Sequence, residues 1–421
     1  MRDNRSVSLL VRTFFVCGLL YCMYLVTRQA IGAWYFQKKS PQSIQAAIRW
    51  DPGNPEYYDA LATLTHLYST GGNSADVVRL SEKATQLSPY NALYWSDLGA
   101  AYEWAGRKDD ALRAFTRARA LFPNSPEINW KAANFYVRTR KTPDALAALQ
   151  QVLLEDGSKE RQVFVLAANA TSDNMQVLDE MLPRRAPLIL DYLGFEIETE
   201  RMEAASQTWS KLLELNLPFD LARSFPYLDA LIQHRQVDQL KGVWSSLCAR
   251  FPQDVCARQS SPNLITNGDF AFPLLNGGVD WRVIPVEGAT VNEDGSVGVQ
   301  GGKSLRINFN GTRNLEYGHV LQYVPVMPST AYTFSAYLRA KGITTDSGPK
   351  FEVLDAYDPS KLFLSTENAT GTYDWTPQQL EFKTGVDTRL LIVKVARPPS
   401  HKFDNQLAGT VWIARVSLLP K

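Results

Sequence analysis

Ala92-Leu93-Tyr94-Trp95-Ser96-Asp97-Leu98-Gly99-Ala100-Ala101-Tyr102, running on through Gly106, Ala111, Phe115 and Ala118 to Pro123, decides the fold of the first part of this chain. Trp95, Leu98 and Tyr102 fall at helical spacing and share one face of a first helix. Gly99 and Ala111 are small where two helices of a hairpin approach closely. Phe115 and Ala118 carry the buried face of a second helix, and Pro123 stops it. A hairpin of this kind buries its core mainly against similar neighbours.

Those nine positions resemble a nearly complete tetratricopeptide (TPR) repeat. The resemblance implies a solenoid with a concave groove for a protein partner, and an adaptor rather than an enzyme. Working outward, 40–52 resembles the second helix of a repeat, with Ala47 small and Pro52 as terminator. Residues 58–89 form a looser repeat with Leu61, Leu64, Tyr68, Gly72, Ala84 and Pro89 in register. In 126–157, Tyr136, Ala145 and Leu149 keep the register, but Ala132-Ala133 replaces Leu-Gly. After Ser158 the pattern decays. Tyr192-Leu193-Gly194, Ala204-Ala205 and Trp209 read as a degenerate hairpin, and 219–251 as one or two more helices. The helical domain is expected over 40–252.

Residues 7–26 are apolar apart from Ser8, Arg12, Thr13 and small interruptions, about long enough to cross a bilayer as a helix. Arg2, Arg5 and Arg12 precede or enter the run, and Arg28, Lys38 and Lys39 follow it. The order favours a single-pass anchor over 1–36 in an inner membrane, with the bulk of the chain periplasmic or otherwise extracytoplasmic. Trp34-Tyr35-Phe36 fits an interfacial aromatic belt. The other reading is a signal peptide cut after Ala33.

The net charge of +1 over 421 residues gives no electrostatic footprint for nucleic acid. Cys248 and Cys256 close a short loop and read as a disulfide in a chain that leaves the cytoplasm; the other reading is two buried thiols.

The period changes to two beyond Pro252. Residues 253–262, with Gln259-Ser260-Ser261-Pro262, read as a linker. Alternating runs at 320–324, 332–338, 351–354, 390–395 and 411–416, separated by turn residues, predict an antiparallel sandwich over 263–421. The fold class is therefore multidomain: an apolar spanning helix, an all-α TPR-like solenoid, and an all-β jelly-roll sandwich.

Asn263-Leu264-Ile265-Thr266-Asn267-Gly268-Asp269-Phe270 resembles the first strand of the jelly-roll carbohydrate-binding modules attached to bacterial xylanases and glucanases. Lys303-Ser304-Leu305-Arg306-Ile307 and Tyr332-Thr333-Phe334-Ser335-Ala336-Tyr337-Leu338-Arg339-Ala340 continue the likeness. Ala271 and Ala414-Arg415 stand where those modules carry acids that hold a structural calcium, so no metal and no cofactor is expected here. The resemblance implies sugar rings stacked on aromatic faces framed by polar groups. Tyr317, Tyr323, Tyr357, Tyr373, Trp375 and Arg313 are the candidates, with Trp281, Glu316 and Asp355 nearby; Trp281 and Trp412 are read as core.

No catalytic constellation emerges. His66, His234, His319 and His401 are scattered, and Gly302-Lys303-Ser304 lacks the spacing of a phosphate loop and precedes a strand. The reading is a membrane-anchored envelope scaffold. It holds a protein in the TPR groove and a polysaccharide on the sandwich, in exopolysaccharide or surface-polysaccharide assembly or export. A protein-only assembly factor is the alternative. A clustered exposed aromatic face would mark the first, and a polar face without aromatics the second. A glycan-modifying enzyme would need two facing carboxylates roughly 5–10 Å apart.

Overall fold

The computed structural model describes residues 3–68 and 74–421; Arg2 and Gly72 lie outside them. The chain divides into two compact units, Met1–Leu217 and Pro218–Lys421.

The first unit holds α1 (Asp3–Phe36), α2 (Pro41–Trp50), α3 (Pro55–Tyr68), α4 (Ser74–Leu87), α5 (Ala92–Trp104), α6 (Lys108–Leu121), α7 (Pro126–Arg138), α8 (Thr142–Glu155), α9 (Glu160–Ala170), α10 (Asn174–Glu180), α11 (Ala186–Glu198) and α12 (Met202–Glu214). Helices pair in order as hairpins, α1 with α2, α3 with α4, α5 with α6, α7 with α8 and α11 with α12. A Cβ on Gly99 would stand 3.0 Å from the Phe115 ring, so the close approach of α5 and α6 requires a small residue there. Ala111, Phe115 and Ala118 are buried, as are Ala132 and Ala133 at the corresponding place in α7. Consecutive hairpins are tied by one recurring bond. The Trp95 indole donates to the Pro89 carbonyl at 2.9 Å, and thirty-four residues on the Asn129 amide donates to the Pro123 carbonyl at 2.6 Å.

The hairpin turn also recurs. Gly106, Arg140 and Glu200 all adopt positive φ. After each, an amide reaches back five residues: Arg107 to Tyr102, Lys141 to Tyr136, and Arg201 to Glu196. The left-handed residue closes the first helix and reverses the chain.

Glu196 lies fully buried in this unit beside Thr208, Arg201, Asn174 and Tyr192. Burial pushes its carboxyl up to about 7. The folded state therefore holds the proton more tightly than the unfolded chain. The resulting stability is complete below the ordinary glutamate range and is lost as pH rises through about 7.

The second unit opens with α13 (Phe225–Gln233) and α14 (Val237–Arg250), which sequence reading places with the solenoid. Arg235 carries the same left-handed turn between them, and Gln236 N–H reaches back to Leu231 O. Ten strands follow: β1 (Arg282–Val283), β2 (Ala289–Asp294), β3 (Ser304–Asn310), β4 (Tyr317–Pro325), β5 (Ala331–Ile343), β6 (Lys350–Asp355), β7 (Phe363–Ser365), β8 (Gly371–Lys383), β9 (Leu390–Arg397) and β10 (Ala408–Pro420). They form two antiparallel sheets, β1-β4-β9-β6-β7 and β2-β3-β10-β5-β8. Phe270, Trp281, Ile307, Phe334, Phe351, Val393 and Ile413 fill the core. Arg397 is fully buried at one end, where it donates to the carbonyls of Leu315, Ser347 and Asn405 and to the Asn314 amide oxygen.

The α13–α14 hairpin is built into the sandwich. A Cβ on Gly277 would meet the Phe225 ring at 2.2 Å, and one on Gly278 would meet Trp244 at 2.4 Å. Tyr357 donates to the Ile232 carbonyl at 2.9 Å, Arg389 pairs with Asp238 at 2.9 Å, and Arg282 pairs with Asp229. Residues 253–262 are no free linker. Cys256 is disulfide-bonded to Cys248 of α14, and Arg258 is buried on Asp280 at 3.2 Å. The boundary between the two compact units therefore lies at 217/218, with the apolar faces of α13 and α14 packed against sandwich loops.

Two outcomes are expected. Gly278→Ala puts a methyl group into Trp244 at a positive φ, and should destabilise Pro218–Lys421 by roughly 2–4 kcal/mol in urea unfolding. Gly242→Ala, on α14 with nothing within 4 Å, should be neutral or stabilise by up to about 1 kcal/mol. Separately, the melting temperature of the full chain should fall between pH 5 and pH 8. Glu196→Gln should flatten that fall; an unchanged pH profile would contradict the account of Glu196.

Candidate functional site

The outer face of sheet β2-β3-β10-β5-β8 presents two cross-strand rows. Asn292, Arg306, Trp412 and Arg339 stand in register across β2, β3, β10 and β5. Thr290, Asn308, Thr410 and Lys341 form the next row. Period-two alternation puts Val411 and Ile413 into the core and turns Trp412 outward. Together with Gly342, these rows, apart from Arg339, line an open groove of about 600 Å³.

The groove is polar and held in place. The Trp412 indole donates to Asp294 at 3.0 Å, and Arg306 lies 3.7 Å from the same carboxylate. The Ser296 hydroxyl, the Trp412 indole and the Ser296 and Val297 amides hold the Asp294 carboxyl at about 2. Arg339 stacks over Trp412 at 5.5 Å and reaches Asp374 at 3.5 Å. Thr410 donates to Asn308 at 2.9 Å. Lys341 makes no ion pair among the described residues. The arrangement offers amides, hydroxyls and cations across four strands, with one indole that is only 9% exposed.

The aromatics singled out from sequence do not assemble into one face. Tyr317 is 3% exposed and packs edge-on against Phe309, so it offers no ring to a ligand. Trp281 is also core. Tyr323, on the outer face of the other sheet, lies under Arg282 at 5.2 Å. Tyr357 is engaged by α13 through Ile232 and lies under Arg235 at 5.0 Å. Tyr373 packs against the sandwich core from edge strand β8, while Trp375 is half-buried on that strand. Arg313 pairs with Glu287 at 2.7 Å in a loop. Asp355 caps its own turn through the Tyr357 and Asp358 amides. Glu316 is exposed. Trp412, read as core, is indeed buried, and it is also the aromatic that lines the groove, as its alternation with Val411 and Ile413 allows. Where the module resemblance implies a carboxylate, Ala271 instead presents its carbonyl to the Lys303 amine at 2.9 Å. Cys248 and Cys256 form a disulfide.

In the solenoid, α3, α4 and α5 enclose a pocket of about 150 Å³ lined by Asp59, Ala62, His66, Val77, Asp97 and Ala101, among others. Asp59 Oδ1 is buried without a partner. Burial, and then Asp97, push its carboxyl up to about 7. Asp97 is itself paired with Lys131 of α7 at 2.8 Å. The three side chains run across successive first helices of the repeats.

A tetratricopeptide-repeat family model matches residues 105–164. No curated protein matches the chain. Among solved structures, the chain is similar to one described as "CBM4 structure and function", at 18% identity and TM-score 0.28, over 37% of this chain and 99% of that one. It is similar to YrrB, described as a TPR protein with an unusual peptide-binding site, at 14% identity and TM-score 0.30, over 46% and 84%. It is also similar to the enzymatically active domain of bacteriophage CBA120 tailspike protein 4, at 12% identity and TM-score 0.30, over 38% of this chain and 21% of that one. The chain thus spans about a fifth of that tailspike domain. The repeat match falls on hairpins that the structure pairs, so the chain carries tetratricopeptide repeats, followed in sequence by a two-sheet antiparallel jelly-roll sandwich.

Proposed function

We propose that this protein is a membrane-anchored scaffold that holds a protein partner on its repeats and a hydrophilic glycan on its sandwich. It acts in assembly or export of a surface polysaccharide and carries out no catalytic step. The observation that carries the glycan reading is the groove of Asn292, Arg306, Asn308, Lys341, Thr410 and Trp412. Its chemistry is hydrogen bonding and positive charge with one indole, which suits a sugar chain bearing carboxylates better than a flat neutral polymer. The Asp59–Asp97 pocket suits a basic side chain of the protein partner.

Anchoring rests on the helix Leu9–Phe36, long and apolar enough to cross a bilayer. Its last turn packs into the first hairpin through Tyr35 and Phe36, which disfavours cleavage after Ala33. The Cys248–Cys256 disulfide suits an oxidising compartment, hence an extracytoplasmic bulk at an inner membrane.

One observation favours the protein-only assembly reading. The predicted aromatics are dispersed among core, hairpin and edge, so the sandwich lacks a clustered aromatic face among the described residues. A glycan array of neutral and uronic-acid oligosaccharides, probed with Pro218–Lys421, separates the two readings. The glycan reading predicts binding to acidic members, weakened about tenfold or more by Arg306→Ala and by Asn308→Ala. Lys350→Ala, on the outer face of the other sheet, should leave it unchanged. A folded domain that binds nothing on the array would favour the assembly reading.

A further inference from the structure

We propose that the first hairpin of the solenoid is seated in the membrane surface, with the α2–α3 turn, led by Arg49 and Trp50, lying in the lipid headgroup layer. The inference rests on the anchor reading above and concerns what surrounds the anchor where it leaves the bilayer.

Every residue from Leu9 to Val26 is exposed on α1. That run rises about 27 Å at ~1.5 Å per residue, close to a hydrocarbon core of about 30 Å. Thr13 and Thr27 donate to the carbonyls of Leu9 and Met23, so their hydroxyls need no water. The helix then continues without a break to Phe36.

Contacts set the depth of α2. Arg28, about 3 Å beyond Val26 along the helix, donates through Nε to the Trp50 carbonyl at 2.8 Å. A Cβ on Gly32 would meet Asp51 at 3.2 Å and the Ala47 carbonyl at 3.5 Å. The pairs 28 with 50 and 32 with 47 bring α2 back toward the membrane, and the contact of Gly32 with Asp51 sets its last turn between the levels of Arg28 and Gly32. The headgroup layer is only about 5–8 Å thick on each side. Arg28 falls inside that layer and the last turn of α2, with Arg49 and Trp50, lies about 3–9 Å beyond Val26, in its outer part, whereas Trp34 stands about 12 Å beyond.

The side chains there match an interface. Trp50 is 41% exposed and Arg49 is exposed beside it. Arg28 stacks over Tyr24 at 5.5 Å. An amphipathic indole with flanking guanidinium groups is the composition that settles at headgroup depth. The aromatic trio 34–36 has a different role. Tyr35 and Phe36 pack into the hairpin core, Phe36 against Tyr57 at 4.9 Å, and Trp34 is covered by the Lys38 amine at 3.6 Å. The α4–α5 and α6–α7 turns, at the same end of their hairpins as the α2–α3 turn, carry Tyr90, 80% exposed, and Phe122, 54% exposed.

The test uses the full chain in nanodiscs of phosphatidylcholine and phosphatidylglycerol, with a nitroxide on the headgroup or at mid-chain. An environment-sensitive fluorophore is placed on a single reactive cysteine; Cys248 and Cys256 are bonded and do not react. Native Cys17, in Cys22→Ser, reports on the span. Trp50→Cys and, with Trp50 retained, Arg49→Cys report on the turn, both in a Cys17→Ser, Cys22→Ser background. Gln37→Cys in that background reports on the opposite end of the hairpin. Expected are loss of Cys17 emission to the mid-chain nitroxide, loss of emission at 49 and 50 to the headgroup nitroxide, and neither at 37. Quenching at 17 with positions 49 and 50 behaving like 37 would overturn the inference and leave the anchor standing. No quenching at 17 would remove the anchor reading and this inference with it.

Discussion

The close backbone contact of Gly277 and Gly278 with Phe225 and Trp244 governs the second unit. No side chain larger than hydrogen fits there, because an added methyl would lie 2.2–2.4 Å from an aromatic ring. With the loop pressed flat, α13 and α14 become part of the sandwich. Arg282, Tyr357 and Arg389 then find partners on the hairpin. The consequence reaches the functional surface. Tyr323 and Tyr357, two rings that look suited to stacking on sugar, are engaged inside the unit. The polar rows on β2, β3, β10 and β5 remain open, and the glycan reading rests on them.

The first unit follows a related rule, in which small residues allow close approach and a few polar bonds fix the register. Gly99 admits Phe115, and Gly32 admits the end of α2. Trp95 and Asn129 differ in every physical property except an N–H aimed at the preceding proline's carbonyl. That shared donor keeps successive hairpins in step although one residue is a large aromatic and the other a small amide. Because α1 is one continuous helix, its apolar span and its packed last turn are a single element.

Much of the architecture was legible in residue types. The hairpin at 92–123 shows because close packing dictates Gly99, Ala111 and Ala118. The strands show because one face of each is buried, as at Tyr332, Phe334, Ala336 and Leu338. The later hairpins were faint because their left-handed turns are filled by Arg140, Glu200 and Arg235, which tolerate a conformation that glycine would have advertised. The boundary at 217/218 was hidden for another reason. Helical periodicity reveals a buried stripe but not what buries it, and α13 and α14 are covered by loops that follow much later in the chain. The site suffered most. Proximity to turn residues suggested exposure for Tyr317 and Tyr357, but cross-strand and cross-element neighbours decide exposure. Tyr317 turns into the core, and Tyr357 meets a helix 125 residues earlier in sequence.

The central claim is that the outer face of β2-β3-β10-β5-β8 is the ligand face. The unit Pro218–Lys421 contains the tryptophans Trp244, Trp281, Trp375 and Trp412, so its indole N–H resonances form a small, assignable set. Titrating the nitrogen-labelled unit with a uronic-acid oligosaccharide and following those signals is the most direct measurement. The account predicts that the Trp412 signal moves, because its N–H is tied to Asp294 beneath the groove, while the buried Trp244 and Trp281 stay still. Movement of Trp244 or Trp375 with Trp412 unchanged would place the ligand elsewhere and contradict it.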